Sequence, residues 1–258
     1  MKVVILAGGH GTRISEESHL RPKPMIEIGE KPILWHILKY YSSFGFNDFV
    51  ICCGYKGYMI KEYFANYYLH RSDITFDFSN KGNMEVHANV SEPWKVTLVD
   101  TGLDSQTGGR IKRIAPYIGN ERFMLTYGDG VSDVDLTKLL HQHEKSGNLV
   151  TLTGIQPGGR FGVLDIEDTT VTAFKEKAVE GGGWINGGFM VAEPELFSYI
   201  ENDATILERK PFEQLSTQRK LGVYKHNGYW LCMDTQRDKV ALEIAWANGD
   251  AKWKVWEN

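Results

Sequence analysis

Val3-Val4-Ile5-Leu6 is a short, unbroken apolar run, the pattern of a strand covered on both faces. Further on, Leu34, Ile37, Leu38 and Tyr41 fall at i, i+3, i+4 and i+7. That period predicts a helix over residues 32–44, with Pro32 in its first turn and Gly45 ending it. "FVICC" (49–53) predicts the next strand and "YKGYMIKEYFANYY" the next helix. "VTLVD" (96–100) and "FMLTY" (123–127) predict two more strands, with a Gly-containing loop and a short helix between them. A helix near 135–146 and the strand "LVTLTGI" (149–155) continue the alternation. Strands alternating with helices imply right-handed crossovers and a mostly parallel sheet.

After residue 156 the rhythm changes. "GVLDI" (162–166) and "VTAFKEK" (171–177) lie close together, which favours a small antiparallel patch added to the sheet. "PELFSYI" and "PFEQLSTQRKLG" read as helical, and "VYKHNGYWLCMD" places an Asn227-Gly228 turn between two strands. "DTQRDKVALEIAWANG" reads as a capped helix ending at Gly249. With no linker, repeat or low-complexity stretch, the expectation is one α/β domain over 1–258: a Rossmann-like, mostly parallel mixed sheet flanked by helices. Residues 1–156 would form its regularly alternating part and 157–258 the remainder.

Composition narrows the classes. Of 258 residues, 42% are hydrophobic and 24% charged, ordinary for a globular chain long enough to bury a sizeable core. The net charge of −4 supplies no broad basic field for nucleic acid, so an anion must be held by local groups. No apolar run approaches the ~20 residues of a membrane span. The chain begins on a strand rather than on a basic segment and a signal-peptide core, so a cytoplasmic location is expected. Cys52 and Cys53 sit inside a strand-like run as small apolar residues, and no Cys or His spacing matches a metal motif. His141 and His143 are read as surface residues on a helix. The seven tryptophans and twelve tyrosines leave aromatic material for an interface, and a homo-oligomer is expected.

The candidate chemistry begins where the first strand stops, at "LAGGHGTR" (6–13). Ligands bind beyond the carboxyl ends of parallel strands. Glycines there let backbone N–H groups approach a phosphate, while Thr12 adds a hydroxyl and Arg13 a planar fork suited to phosphate oxygens. A tight structural turn is the plain alternative. A P-loop string is absent, and a dinucleotide fingerprint starting at Gly9 would need glycine where Ile14 stands. "RPKPM" places Lys23 between Pro22 and Pro24, which would hold it on a stiff arm. Asp129 in "TYGDG" follows a strand end directly, either as an Asp-Gly turn or as a carboxylate facing the crevice. Asp234 in "MDT" ends another strand, where it would serve as a carboxylate in the site or as a cap for the final helix. "DSQTGGR" (104–110) reads as a flexible loop.

These strings, "LAGGHGTRI…RPKPMIEIGEKPILWHIL" first among them, resemble the signature of the sugar-1-phosphate nucleotidyltransferases. "ICCGYKGYMIKEYFANYY", "VTLVDTG…TGGRIKR", "TYGDGVSDVD", "INGGFMV" and "MDTQRDK" extend the likeness, in order, nearly to the C-terminus. They are similar to the members that use CTP and glucose 1-phosphate. The resemblance implies an Mg²⁺-dependent transfer giving CDP-glucose and pyrophosphate, in a pathway to dideoxy sugars of surface polysaccharides such as lipopolysaccharide O-antigen. It implies catalytic roles for Arg13 and Lys23, and Mg²⁺ ligation by Asp129 and Asp234. It implies nucleotide contacts by Leu6, Ala7, Gly8, Gly9, His10, Gly11, Thr12, Arg13, Lys23, Ser105, Thr107, Arg110 and Gly128. Glu176, Lys177, Asn186 and Gly187 would hold the sugar phosphate, which makes 1–156 the nucleotide-binding part and 157–258 the sugar-phosphate-binding and C-terminal part. The family's proline after Glu-Lys is Ala178 here, which weakens the assignment of Lys177. The same reaction with UTP or dTTP, and a nucleotide-binding regulator without chemistry, stand as alternatives.

Overall fold

The computed structural model describes residues 1–79, 82–156, 163–175 and 183–257. Four strands, Phe123–Tyr127, Lys2–Ala7, Asp48–Cys53 and Lys95–Asp100, lie side by side and parallel. Met190–Ala192 runs antiparallel between Phe123–Tyr127 and Val150–Ile155, and Val150–Ile155 pairs in parallel with Leu221–Lys225. Val163–Glu167, Thr170–Lys175 and Trp184–Asn186 complete this ten-stranded sheet through antiparallel pairings. The mixed sheet with its antiparallel flank is the architecture expected from the alternation and its break after residue 156.

The apolar run at the N-terminus has a direct physical reason. Successive side chains of a strand point to opposite faces. Val3, Ile5 and Ala7 join one core with Phe49, Ile51 and helix Ile33–Ser43. Val4 and Leu6 join the other with Val50, Cys52 and helix Thr107–Ile118. Both faces are covered, so the strand cannot alternate. Cys52 and Cys53 are buried, one in each core, as free thiols. The carboxyl end of Lys2–Ala7 is where this doubly covered strand meets open space.

Several details depart from the sequence reading. Pro32 belongs to a two-residue strand and occupies the cap position, ahead of the helix rather than in its first turn. Residues 194–199 form a 3-10 helix. Asn227-Gly228 does not close a hairpin: Leu221–Lys225 stays in the large sheet, whereas Trp230–Cys232 pairs with Gly130–Ser132. The antiparallel hairpin Ser72–Asp77/Asn83–Asn89 has no counterpart in the predicted elements. Most of its side chains are exposed, so no buried face imprints a period on the sequence. His143 is buried rather than on the surface, between Thr151 Oγ1 at 2.8 Å and Glu193 at 3.2 Å. His141 is exposed, as expected. No described helix is long and apolar enough to cross a membrane.

Candidate active site

A cavity of about 300 Å³ opens at the carboxyl ends of the parallel strands. Leu6, Ala7, Gly8, Gly9, Gly11, Thr12 and Arg13 form one wall. Lys23, Pro24, Thr107, Tyr127, Gly128 and Asp129 form the rest. The glycine loop leaves its strand, takes a positive φ of 65° at Gly11, and closes in a 3-10 turn over Thr12–Ile14. Arg13 is thereby presented with its side chain 71% exposed.

Lys23 is placed differently from the expected extended arm. Pro22 is extended, but Lys23–Met25 is a 3-10 turn closed by Ile26 N on Lys23 O. Pro24 fits inside it because first-turn N–H groups need no helical partner. Lys23 is buried, and its Nζ lies 2.7 Å from Asp129 Oδ2 and 2.6 Å from Asp234 Oδ1. Burial alone would lower its pKa. Burial is the largest single influence, but the Asp129 and Asp234 charges and the hydrogen bond to Asp129 together outweigh it, and the net shift is upward. Arg13 Nη1 reaches Asp234 Oδ2 at 2.5 Å. The two aspartates, distant in sequence, thus meet between two cations.

Asp234 is not the cap of the last helix. Thr235 fills that position in a capping box: its Oγ1 accepts from Asp238 N, and Asp238 Oδ2 accepts from Thr235 N at 2.8 Å. The Asp234 carboxylate is left to face Lys23 and Arg13. Asp129, Cys232 and Asp234 each bring one ligand atom within 4.8 Å of the others. The two carboxylates are hard oxygen donors suited to Mg²⁺, and the thiol is not. Burial, then the Asp129 charge, holds the Cys232 thiol well above its usual pKa and so protonated. The donor set fits a divalent cation on Asp129 and Asp234.

The segment 104–110 is not a flexible loop. It enters helix Thr107–Ile118, and Gly108 and Gly109 press against the backbone of Thr205 and Asp203. Arg110, expected to contact a base, is held here by the protein's own acceptors. It is 5% exposed and donates to Gly8 O at 3.0 Å, Leu103 O at 3.1 Å, Gly102 O at 2.7 Å and Thr101 Oγ1 at 2.9 Å. The guanidinium is a buried strut that ties the glycine loop to the chain after Lys95–Asp100. It also explains a glycine: a Cβ on Gly8 would come within 2.2 Å of Arg110. Ser105 is likewise buried, and His10 is exposed against the Tyr55 ring at 5.1 Å. Gly128 donates to Leu6 O at 2.9 Å, which joins the two strand ends that carry the cavity.

On the other flank, Asn186 Nδ2 donates to Tyr127 Oη at 3.1 Å and Gly187 O accepts from Trp230 Nε1 at 2.7 Å. Glu176 and Lys177 lie outside the described residues. Sequence reasoning missed Glu208. Its carboxylate accepts from Tyr127 Oη and from Thr107 Oγ1, each at 2.6 Å. Burial, then the Glu208 charge, raises the Tyr127 pKa well above its usual value, so Tyr127 stays a donor. Glu208 lies in no recognisable motif, and only the fold brings it beside two cavity residues.

A family model described as "Nucleotidyl transferase" matches residues 2–247. The chain is 55% identical to the glucose-1-phosphate cytidylyltransferase of Salmonella typhi, over all of both chains. It is 43% identical to a probable glucose-1-phosphate cytidylyltransferase of Bacillus subtilis, over 99% of this chain and 100% of the relative. Among solved structures, HddC from Yersinia pseudotuberculosis superposes with a TM-score of 0.74 at 24% identity, covering 95% of this chain and 99% of that one. A UDP-glucose pyrophosphorylase complexed with UDP-glucose superposes with a TM-score of 0.74 at 15% identity, covering 96% and 98%. At those identities the two structures speak for the fold.

Proposed function

Because the chain belongs to the nucleotidyl transferase family, we propose that its cavity transfers a cytidylyl group from CTP to glucose 1-phosphate, giving CDP-glucose and pyrophosphate. The observation that carries the reading is the meeting of Arg13, Lys23, Asp129 and Asp234 at one mouth of the glycine-loop cavity. Full-length identity of 55% to a cytidylyltransferase supports the choice of nucleotide and sugar.

The phosphate oxygen of glucose 1-phosphate attacks the α-phosphorus of CTP in line, and pyrophosphate leaves from the opposite side. The nucleophile is already an anion, so no general base is required. Catalysis rests on positioning and on neutralising charge. Arg13 neutralises the departing phosphates, and Lys23 offsets charge at the α-phosphate. Asp129 and Asp234 would hold Mg²⁺, which when bound would supply Lewis-acid neutralisation of phosphate charge. The glycine loop offers backbone N–H groups, and Thr107 contacts the nucleotide. Asn186 and Gly187 face the sugar phosphate. The product suits a cytoplasmic pathway to surface polysaccharide.

The test is a panel of CTP, UTP, dTTP, GTP and ATP against several sugar 1-phosphates, with pyrophosphate release and product mass as readouts. CDP-glucose from CTP and glucose 1-phosphate is the expected dominant product. Preferred use of UTP or dTTP would overturn the nucleotide assignment, and tight CTP binding without pyrophosphate release would make the protein a regulator. We also propose self-association through the hairpin Ser72–Asp77/Asn83–Asn89. There Phe78 is 85% exposed, beside the exposed Phe76 and Met84. Sedimentation of a Phe78→Ser variant as monomer and of wild type as oligomer is expected; a monomeric wild type would contradict it.

A further inference from the structure

We propose that Glu208 is a positioning residue that sets the choice of nucleotide by fixing the proton of the Thr107 hydroxyl. The inference rests on the cytidylyl-transfer reading and adds the device by which cytosine is told from uracil.

An ionised carboxylate only accepts hydrogen bonds, so each hydroxyl that meets Glu208 must aim its proton at it. Thr107 Oγ1 donates to Oε2 and Tyr127 Oη donates to Oε1, both at 2.6 Å. Thr107 Oγ1 also accepts from Leu207 N at 2.9 Å, and a hydroxyl oxygen has room for one more donor. Tyr127 Oη meanwhile accepts from Asn186 Nδ2 at 3.1 Å. Thr107 and Tyr127 both line the cavity. Toward a bound nucleotide, the Thr107 hydroxyl therefore offers a lone pair and no proton.

The arrangement is held from several sides. Gln106 N donates to Asp203 O at 2.8 Å, Gly109 N donates to Thr205 O at 3.2 Å, and Arg113 is paired with Asp203 at 2.5 Å. Gly108 and Gly109 have no Cβ to keep the segment before Glu208 away; a Cβ on Gly109 would lie 2.3 Å from Asp203 O. The carboxylate thus has a fixed position relative to the first turn of helix Thr107–Ile118.

Cytosine and uracil differ at one exocyclic group. The cytosine N4 amino group donates, whereas the O4 of uracil or thymine accepts. A lone acceptor facing N4 makes a hydrogen bond with CTP. With UTP or dTTP it faces a second acceptor, and neither oxygen is satisfied. Glu208 touches no base; it acts through Thr107.

Two variants and their combination test it, with kcat/KM for CTP and for UTP as readout. Thr107→Val keeps the side-chain shape without the hydroxyl. Glu208→Gln replaces an acceptor-only group with one that donates as well, which frees a hydroxyl proton. The CTP-to-UTP ratio is expected to fall at least tenfold in T107V and to fall in E208Q. Adding E208Q to the T107V background should leave the ratio where T107V put it. A purely structural role would lower both nucleotides together and preserve the ratio, which overturns the proposal. If E208Q fails to fold, an unchanged ratio in T107V overturns it equally. A wild type without CTP preference defeats the cytidylyl reading itself. A CTP-selective wild type whose ratio survives both substitutions defeats only this inference.

Discussion

At the residue scale, the charged side chains of the cavity divide into those that can reach a ligand and those that hold the wall. Arg13 and Lys23 stand at the carboxylate pair on the cavity wall, so their loss is expected in turnover. Arg13→Ala and Lys23→Ala should each lower kcat by roughly 10²-fold or more, as loss of a preorganised donor does. Steady-state rates near wild type in both variants would contradict their roles. Asp129→Asn should raise the Mg²⁺ concentration needed for half-maximal rate, and an unchanged titration would remove Asp129 from the ligand set. Arg110 is the opposite case. Arg110→Met strands the acceptors of Gly8, Leu103, Gly102 and Thr101, and a stability loss of about 3 kcal/mol is expected. Urea titration checks it: an unshifted midpoint together with lost CTP binding would return Arg110 to the base. "TGGR" shows the residues but not this task, because burial of an arginine is decided by what folds over it.

At the element scale, the final helix connects packing to the site. Its capping box sits one residue after Asp234, and Asp238 Oδ2 also accepts from Asp234 N at 3.2 Å. Thr235→Ala should cost about 1 kcal/mol and lower Tm by roughly 2–4 °C. Differential scanning calorimetry at fixed pH measures it; an unchanged Tm would mean that the cap contributes nothing. The elements that sequence announced were those with a buried face. Residues 3–7 and 49–53 are apolar throughout because each run is covered on both sides, and Ile33–Ser43 carries a clear helical period. The hairpin Ser72–Asp77/Asn83–Asn89 lies outside both cores and wrote no such pattern. Trp230–Cys232 was legible as a strand, but its partner was not. Glycine and asparagine mark a change of direction without saying which sheet receives the chain.

At the scale of the whole molecule, the sheet brings Arg13 and Lys23 from the first strand's exit to Asp129 and Asp234 from later segments. The residue types at the site were legible; their mutual pairing, and Glu208 behind them, needed the fold. The same packing creates a pH dependence. His36 is fully buried: its Nε2 meets Ile28 O at 2.8 Å and its Nδ1 accepts from Trp253 Nε1 at 3.3 Å, an arrangement for a neutral ring. Burial lowers its pKa to about 4, from 6.5 in the unfolded chain. Between those values the unfolded state binds the proton that the folded state refuses, so stability falls as pH drops from about 6.5 toward 4. The full loss is on the order of 3 kcal/mol, and His143, lowered by its own burial, adds with the same sign. Tm should fall between pH 7 and pH 5, and His36→Gln should flatten that slope. An equal slope in the variant would assign it to other groups.

In the proposed reaction one triphosphate sits among Arg13, Lys23, Asp129 and Asp234. A crystal structure with Mg²⁺ and a non-hydrolysable CTP analogue tests it most directly. The predicted result is a triphosphate over the glycine loop, with Arg13 and Lys23 on its oxygens and the metal on the two aspartates. A triphosphate bound away from these four side chains would contradict the claim.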